Sequence, residues 1–114
     1  MSLEKELQSF AYELQNTFEQ YGPQMQETLG GLHDKCFVSA GSNSDKYASC
    51  MREATKRLLK EQSRLELRNT FFQMKLGECL TTNGVDSEKG KKCKQDAISN
   101  MKNSFKDFVD AIRK

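Results

Sequence analysis

The residues best suited to chemistry are Cys36, Cys50, Cys79 and Cys93, four cysteines in a chain of 114 residues. A thiolate can act as a nucleophile, exchange with a disulfide or bind a metal. Thiol oxidoreductases usually use C-x-x-C, which does not occur here. Structural zinc sites use C-x2-4-C pairs, and the thirteen residues inside each of Cys36–Cys50 and Cys79–Cys93 form no such knuckle. Reduced thiols packed as small apolar residues are a further option. The even count and the regular spacing instead favour two disulfides, which persist mainly in oxidising compartments. His33, the single histidine, precedes Cys36 by three residues, a spacing at which a helix could present a Cys–His pair. No oxyanion-hole or orienting motif accompanies it, so His33 is read as a solvated or capping residue. Gly30-Gly31 has no preceding strand and no following Lys-Ser/Thr, which excludes a phosphate loop and leaves close helix packing as its expected role. No catalytic residue, metal ligand or cofactor is expected.

These residues are carried by helices. Leu3, Leu7, Phe10, Leu14, Phe18, Tyr21, Met25, Leu29, Leu32 and Cys36 follow one another at steps of three or four. They form an apolar stripe on one face of a helix over about 2–36. Gly22-Pro23 interrupts it; proline removes a backbone donor, so a kink or a restart is expected, and the unbroken stripe favours the kink. Tyr47, Met51, Ala54, Leu58, Leu65, Phe72 and Leu76 mark a second helix over about 45–79. Ala97, Ile98, Met101, Phe105, Phe108, Val109 and Ile112 mark a third over about 88–112. Val38 to Ser44 and Thr81 to Ser87, rich in Ser, Thr, Asn and Gly, read as the connections, and no strand pattern is present. The expected fold is all-α: three long antiparallel helices forming one domain over 1–114.

An internal repeat orders the cysteines. A shift of 43 residues places Cys36 on Cys79, Gly41 on Gly84, Ser44 on Ser87, Asp45 on Glu88, Lys46 on Lys89, Cys50 on Cys93, Glu53 on Asp96 and Ala54 on Ala97. The pattern C-x4-G-x2-S-[DE]-K-x3-C-x2-[DE]-A reads as a duplicated helix–loop–helix unit. Gly41 and Gly84 can take the positive φ needed after a helix, Ser44 and Ser87 can cap the next one, and Asp45 and Glu88 complement its positive end. Within one helix, Cys50 and Cys79 would lie roughly 44 Å apart at 1.5 Å per residue. Disulfide-bonded α-carbons lie within about 7 Å. Cys50–Cys79 therefore fails, and Cys36–Cys93 with it. The crossed pairing fails as well, because Cys36 sits beside the start of the second helix and Cys93 beside its end. Cys36–Cys50 and Cys79–Cys93 remain, one disulfide across each interhelical loop.

Composition narrows the setting. Hydrophobic residues make up 36% and charged residues 30%, with a mean hydropathy of −0.78. That is poor in core, yet the ten aromatic residues and five methionines argue against disorder. No apolar run approaches the length of a membrane span. The opening Met1-Ser2-Leu3-Glu4-Lys5-Glu6 lacks the apolar segment of a secretory signal. A mature secreted fragment with an added Met1, or a protein of the mitochondrial intermembrane space, satisfies both the cysteines and this opening.

Partner surfaces are sought in charge and aromatic residues. Residues 1–35 carry two cationic and six acidic residues, while residues 36–114 carry sixteen and ten, so an acidic first helix meets a basic remainder. Lys89, Lys91, Lys92 and Lys94 form the densest basic cluster, expected as a solvated face or a peripheral contact with anionic lipid. No base-reading motif supports nucleic-acid binding. Phe71 and Phe72 are adjacent and cannot share one core face. With Phe37, Val38 and Tyr12 they are surplus aromatic and apolar residues, and Phe37, Phe71 and Phe72 are the expected partner contacts.

Gly31-Leu32 with Lys35-Cys36, and Phe72-Gln73 with Lys75-Leu76 and Cys79, resemble segments of small-Tim-like proteins of the mitochondrial intermembrane space. The chain most resembles the helical, paired-cysteine family called "family with sequence similarity one-hundred-thirty-six", over about residues 29–114. That family carries CX3C pairs. Here the positions four away from each cysteine are Leu32, Ala40, Lys46 and Ala54 in the first unit, and Lys75, Asn83, Lys89 and Ala97 in the second. Only one disulfide per hairpin can form. The resemblance implies import by the oxidative relay and a non-enzymatic role. The expected function is that of an accessory or assembly subunit of an inner-membrane respiratory or ATP synthase complex. The alternatives are a secreted helical binding domain for an apolar ligand and an intermembrane-space chaperone.

Overall fold

The computed structural model describes residues 2–113, which form three α-helices: α1 (Leu3–Ala40), α2 (Ser44–Asn83) and α3 (Glu88–Arg113). Each begins where a short polar side chain satisfies the free amides of the first turn. Ser2 Oγ accepts from the Lys5 amide at 3.2 Å, and Ser87 Oγ accepts from the Gly90 amide at 2.9 Å. At the start of α2 the cap is Asn43, one residue before the expected Ser44. Its Oδ1 accepts from the amides of Asp45 and Lys46 at 3.0 and 3.1 Å. A carboxamide one position earlier serves two donors at once, and Ser44 becomes the first helical residue.

α1 and α2 run four residues beyond the expected ends at Cys36 and Cys79. Side chains that read as loop formers bond back into the helix instead. Thr81 Oγ1 donates to the Gly77 carbonyl at 2.7 Å and Asn83 Nδ2 to the Cys79 carbonyl at 2.9 Å. The turns then close on Gly41 at φ 59° and Gly84 at φ 86°, a region that a side chain with a Cβ rarely enters. α1 continues through Pro23 as one helix, so the chain does not restart there.

The helices pack pairwise into a rod of 62 × 20 × 18 Å. Its core is drawn from the expected stripes, Phe10 of α1, Leu65 and Leu76 of α2, and Ala97, Met101, Phe105, Phe108, Val109 and Ile112 of α3, with Leu80 added by the longer end of α2. Tyr21 stacks on Phe105 with centroids 5.9 Å apart, and Phe18 meets the same ring edge-on at 6.3 Å. Contacts of this geometry add about 1 kcal/mol each beyond the buried area.

Length divides the rod into two parts. α3 has 26 residues against 38 in α1 and 40 in α2. It ends where Arg113 borders Glu27, Thr28, Gly31, Leu32 and Lys35. Beyond that level the last turns of α1 and the first of α2 form a two-helix hairpin with no third helix on it. Gly30 and Gly31 lie at this boundary, exposed, and a Cβ on either would meet nothing within 4 Å. The expected close packing at these glycines is not found, since no other helix comes near enough for a Cβ on either to touch it.

Candidate functional site

Both expected disulfides are present. The α-carbons of Cys36 and Cys50 are 5.5 Å apart and those of Cys79 and Cys93 are 6.0 Å apart, so each bond ties the last turns of one helix to the first turns of the next. Among the described residues no cysteine is free. A sulfur held in a disulfide has no thiolate to offer, so Cys36 cannot act with His33 as a nucleophile pair. The two clasps sit in different surroundings. Cys79–Cys93 lies in the three-helix part, with Cys93 in the core, whereas Cys36–Cys50 holds the open hairpin.

The repeat explains the surface of that open end. His33, Phe37 and Tyr47 occupy the positions of Leu76, Leu80 and Gly90 in the second unit. Leu76 and Leu80 are buried because the first turns of α1 lie over them. Leu7 Cδ2 lies 3.9 Å from the position a Cβ on Gly77 would take, and Glu6 pairs with Lys94 at 3.3 Å. No helix covers the equivalent face of the first unit. There His33 stacks on Phe37 with centroids 6.4 Å apart, and Tyr47 meets both rings edge-on at 5.7 and 6.4 Å. These rings border a shallow depression completed by Ala40 and the Gly41–Asn43 turn. Phe37 and Val38 are 63% and 78% exposed, the most accessible pair of adjacent apolar side chains at this end. His33 Nδ1 lies 3.6 Å from Asp34 Oδ1, both exposed, which makes it a surface residue within an aromatic cluster.

The adjacent phenylalanines separate as a helix requires. Phe72 is half-buried and packs against the core, so of the expected contacts Phe71 faces solvent and Phe72 does not. A step of about 100° between neighbours leaves room for one of them on the core face. Phe71 is met by Lys75 Nζ, 5.7 Å from its ring centroid.

The lysine cluster also divides. Lys89, Lys91 and Lys92 are exposed around an open depression with Glu88, Gln95 and Asp96. Lys94 turns toward α1 and pairs with the buried carboxylate of Glu6. This pair gives the attraction between the acidic first helix and the basic remainder one defined contact. A second inter-helix pair, Arg68–Asp107 at 3.1 Å, joins α2 to α3.

Glu6, Asn69 and Gly90 are among the buried residues that the sequence pattern did not mark. Glu6 is buried, and only its position beside Leu7 in the stripe could have suggested so. Asn69 is buried in α2 with Oδ1 lacking a hydrogen-bond partner. Gly90 is buried where α3 passes under the preceding turn, and a Cβ there would collide with the carbonyl oxygens of Gly84 and Val85. Its alignment with Tyr47, a large residue in the other unit, was the available signal.

The described residues contain no group of three or more His, Cys, Asp or Glu placed to hold a metal, and no helix long and apolar enough to cross a membrane. Comparison of the chain with protein-family models, curated proteins and solved structures finds no match.

Proposed function

We propose that this chain is a non-catalytic, disulfide-stapled helical protein of the mitochondrial intermembrane space. In this reading it serves as an accessory or assembly subunit of an inner-membrane respiratory or ATP synthase complex. The observation that carries the proposal is the open, clasped hairpin end. It presents Phe37 to solvent beside His33 and Tyr47, on a face whose counterpart in the second unit, Leu76 and Leu80, is covered by a helix, and Val38 next to it is exposed as well. Exposed apolar clusters on a small protein mark contact surfaces. The Cys36–Cys50 bond holds that surface in one shape before a partner arrives, which lowers the ordering cost of binding. The two disulfides are compatible with an oxidising compartment, and the family resemblance supplies the intermembrane space as the compartment.

The test is a native pull-down in mild detergent from mitochondria of the source organism, comparing the wild-type chain with Phe37→Glu/Val38→Glu. The wild type is expected to retain a multisubunit inner-membrane complex, and the variant to lose it while keeping its helical content. Co-fractionation with cytosol, or alkylation of all four cysteines without reductant, overturns the reading. Holdase activity toward unfolded hydrophobic precursors, with no stable complex, would favour the chaperone alternative.

A further inference from the structure

α2 carries a second apolar face that the bundle does not use. Leu65, Asn69 and Leu76 point into the core, with Leu58 and Phe72 at its edge. On the opposite side Leu59, Leu67, Phe71 and Met74 are 59%, 69%, 54% and 70% exposed. From Leu59 to Met74 the helix rises roughly 22 Å at 1.5 Å per residue, so this face is long. Cations border the apolar residues along its length. Lys56, Lys60, Arg64 and Lys75 are all exposed, and residues 53–78 hold six cationic against four acidic residues, a net charge of +2. Lys56, Arg64 and Lys75 approach Glu53, Glu61 and Glu78 at 3.7, 4.0 and 4.0 Å. Such loose pairs of exposed cations contribute little and exchange readily for another anion.

We propose that this outer face of α2 docks on an anionic lipid surface, the rod lying flat with Leu67, Phe71 and Met74 entering the headgroup layer. One observation favours lipid over a protein partner. The core of a protein interface is depleted of charge, whereas here cations interrupt the apolar residues. A headgroup layer suits that alternation, because each long cationic stem lies along apolar surface while its tip meets a phosphate. This contact is separate from the aromatic hairpin end and does not depend on the partner proposed there.

The test is flotation of the purified, oxidised chain with phosphatidylcholine vesicles containing either no anionic lipid or 30% phosphatidylglycerol, an arbitrary composition of about one charge in three lipids. Binding is expected with the anionic vesicles alone and weakens as salt is raised. Lys60→Gln/Arg64→Gln should lower partitioning roughly tenfold or more. Leu67→Glu/Met74→Glu should abolish it, with both variants keeping wild-type circular dichroism because all four side chains are exposed. Equal binding to neutral vesicles, no binding at low salt, or unchanged binding by the variants overturns the proposal. Loss with Lys89→Gln/Lys91→Gln/Lys92→Gln alone overturns it and moves the contact to the start of α3. Self-association without lipid that Leu67→Glu/Met74→Glu removes overturns it in favour of a second copy. The acidic α1 of that copy would then be the occupant.

Discussion

The two disulfides close loops of equal length, each with a sequence separation of 14, yet they should fail differently when removed. In the chain-entropy account each restrains the unfolded chain by about 3 kcal/mol, so Cys36→Ala/Cys50→Ala and Cys79→Ala/Cys93→Ala should lower global stability by similar amounts. Alanine is chosen because Cys36 and Cys93 are buried and a serine hydroxyl there would add a desolvation cost. Local opening separates the two variants. The hairpin end, residues 32–57, begins beside the last residue of α3 and runs beyond it, so it can fray while the three-helix part stays folded. Freeing its loop favours that frayed state by the same 3 kcal/mol, which is about 150-fold in the opening constant. Hydrogen exchange read by mass spectrometry should therefore show amides of 32–57 exchanging about 150-fold faster in Cys36→Ala/Cys50→Ala. In Cys79→Ala/Cys93→Ala those amides should keep their wild-type rates, while core amides around Met101 and Phe105 accelerate through global unfolding. Equal acceleration of the hairpin end in both variants, or in neither, would refute the division of the rod into a three-helix part and an independently opening end.

The remaining predictions concern residues whose roles the packing reveals. Gly90→Ala should lower stability in urea unfolding by about 2 kcal/mol, since the added Cβ meets the backbone carbonyls of Gly84 and Val85 rather than a movable side chain. Gly31→Ala, where nothing lies within 4 Å, should instead raise it by about 0.5–1 kcal/mol through better helix propensity; a loss would restore a packing role for that glycine. Asn69→Leu should stabilise by about 1 kcal/mol in thermal unfolding by relieving a buried acceptor without a partner, and a clear loss would show that the carboxamide has a partner. Lys94→Ala should cost about 2 kcal/mol by stranding the buried Glu6 carboxylate, and Glu6→Gln in the same chain should recover part of it; no recovery would mean that the lysine stem, not its charge, makes the contribution.

The sequence alone determined the three helices and the disulfide wiring. Apolar periodicity is a local property, and the length of α2 excludes every pairing of four cysteines except the two across the loops. The repeat likewise located Gly41 and Gly84, because a turn that must follow a helix at once needs a residue free to adopt positive φ. The cap of α2 fell one residue early, at Asn43, since Asn and Ser compete for the same amides and single-residue choices between them are settled by turn geometry. Tertiary packing decided the rest. Periodicity placed Phe72 on the stripe with Leu65 and Leu76, while packing left Phe71 on a side of α2 that no other helix covers. The burial of Glu6 depends on Lys94 arriving from α3. The exposure of His33 and Phe37 depends on where α3 stops, since the same positions in the second unit, Leu76 and Leu80, lie under α1. Periodicity tells a helix which side is apolar; the lengths and placement of the other helices decide how much of that side is covered.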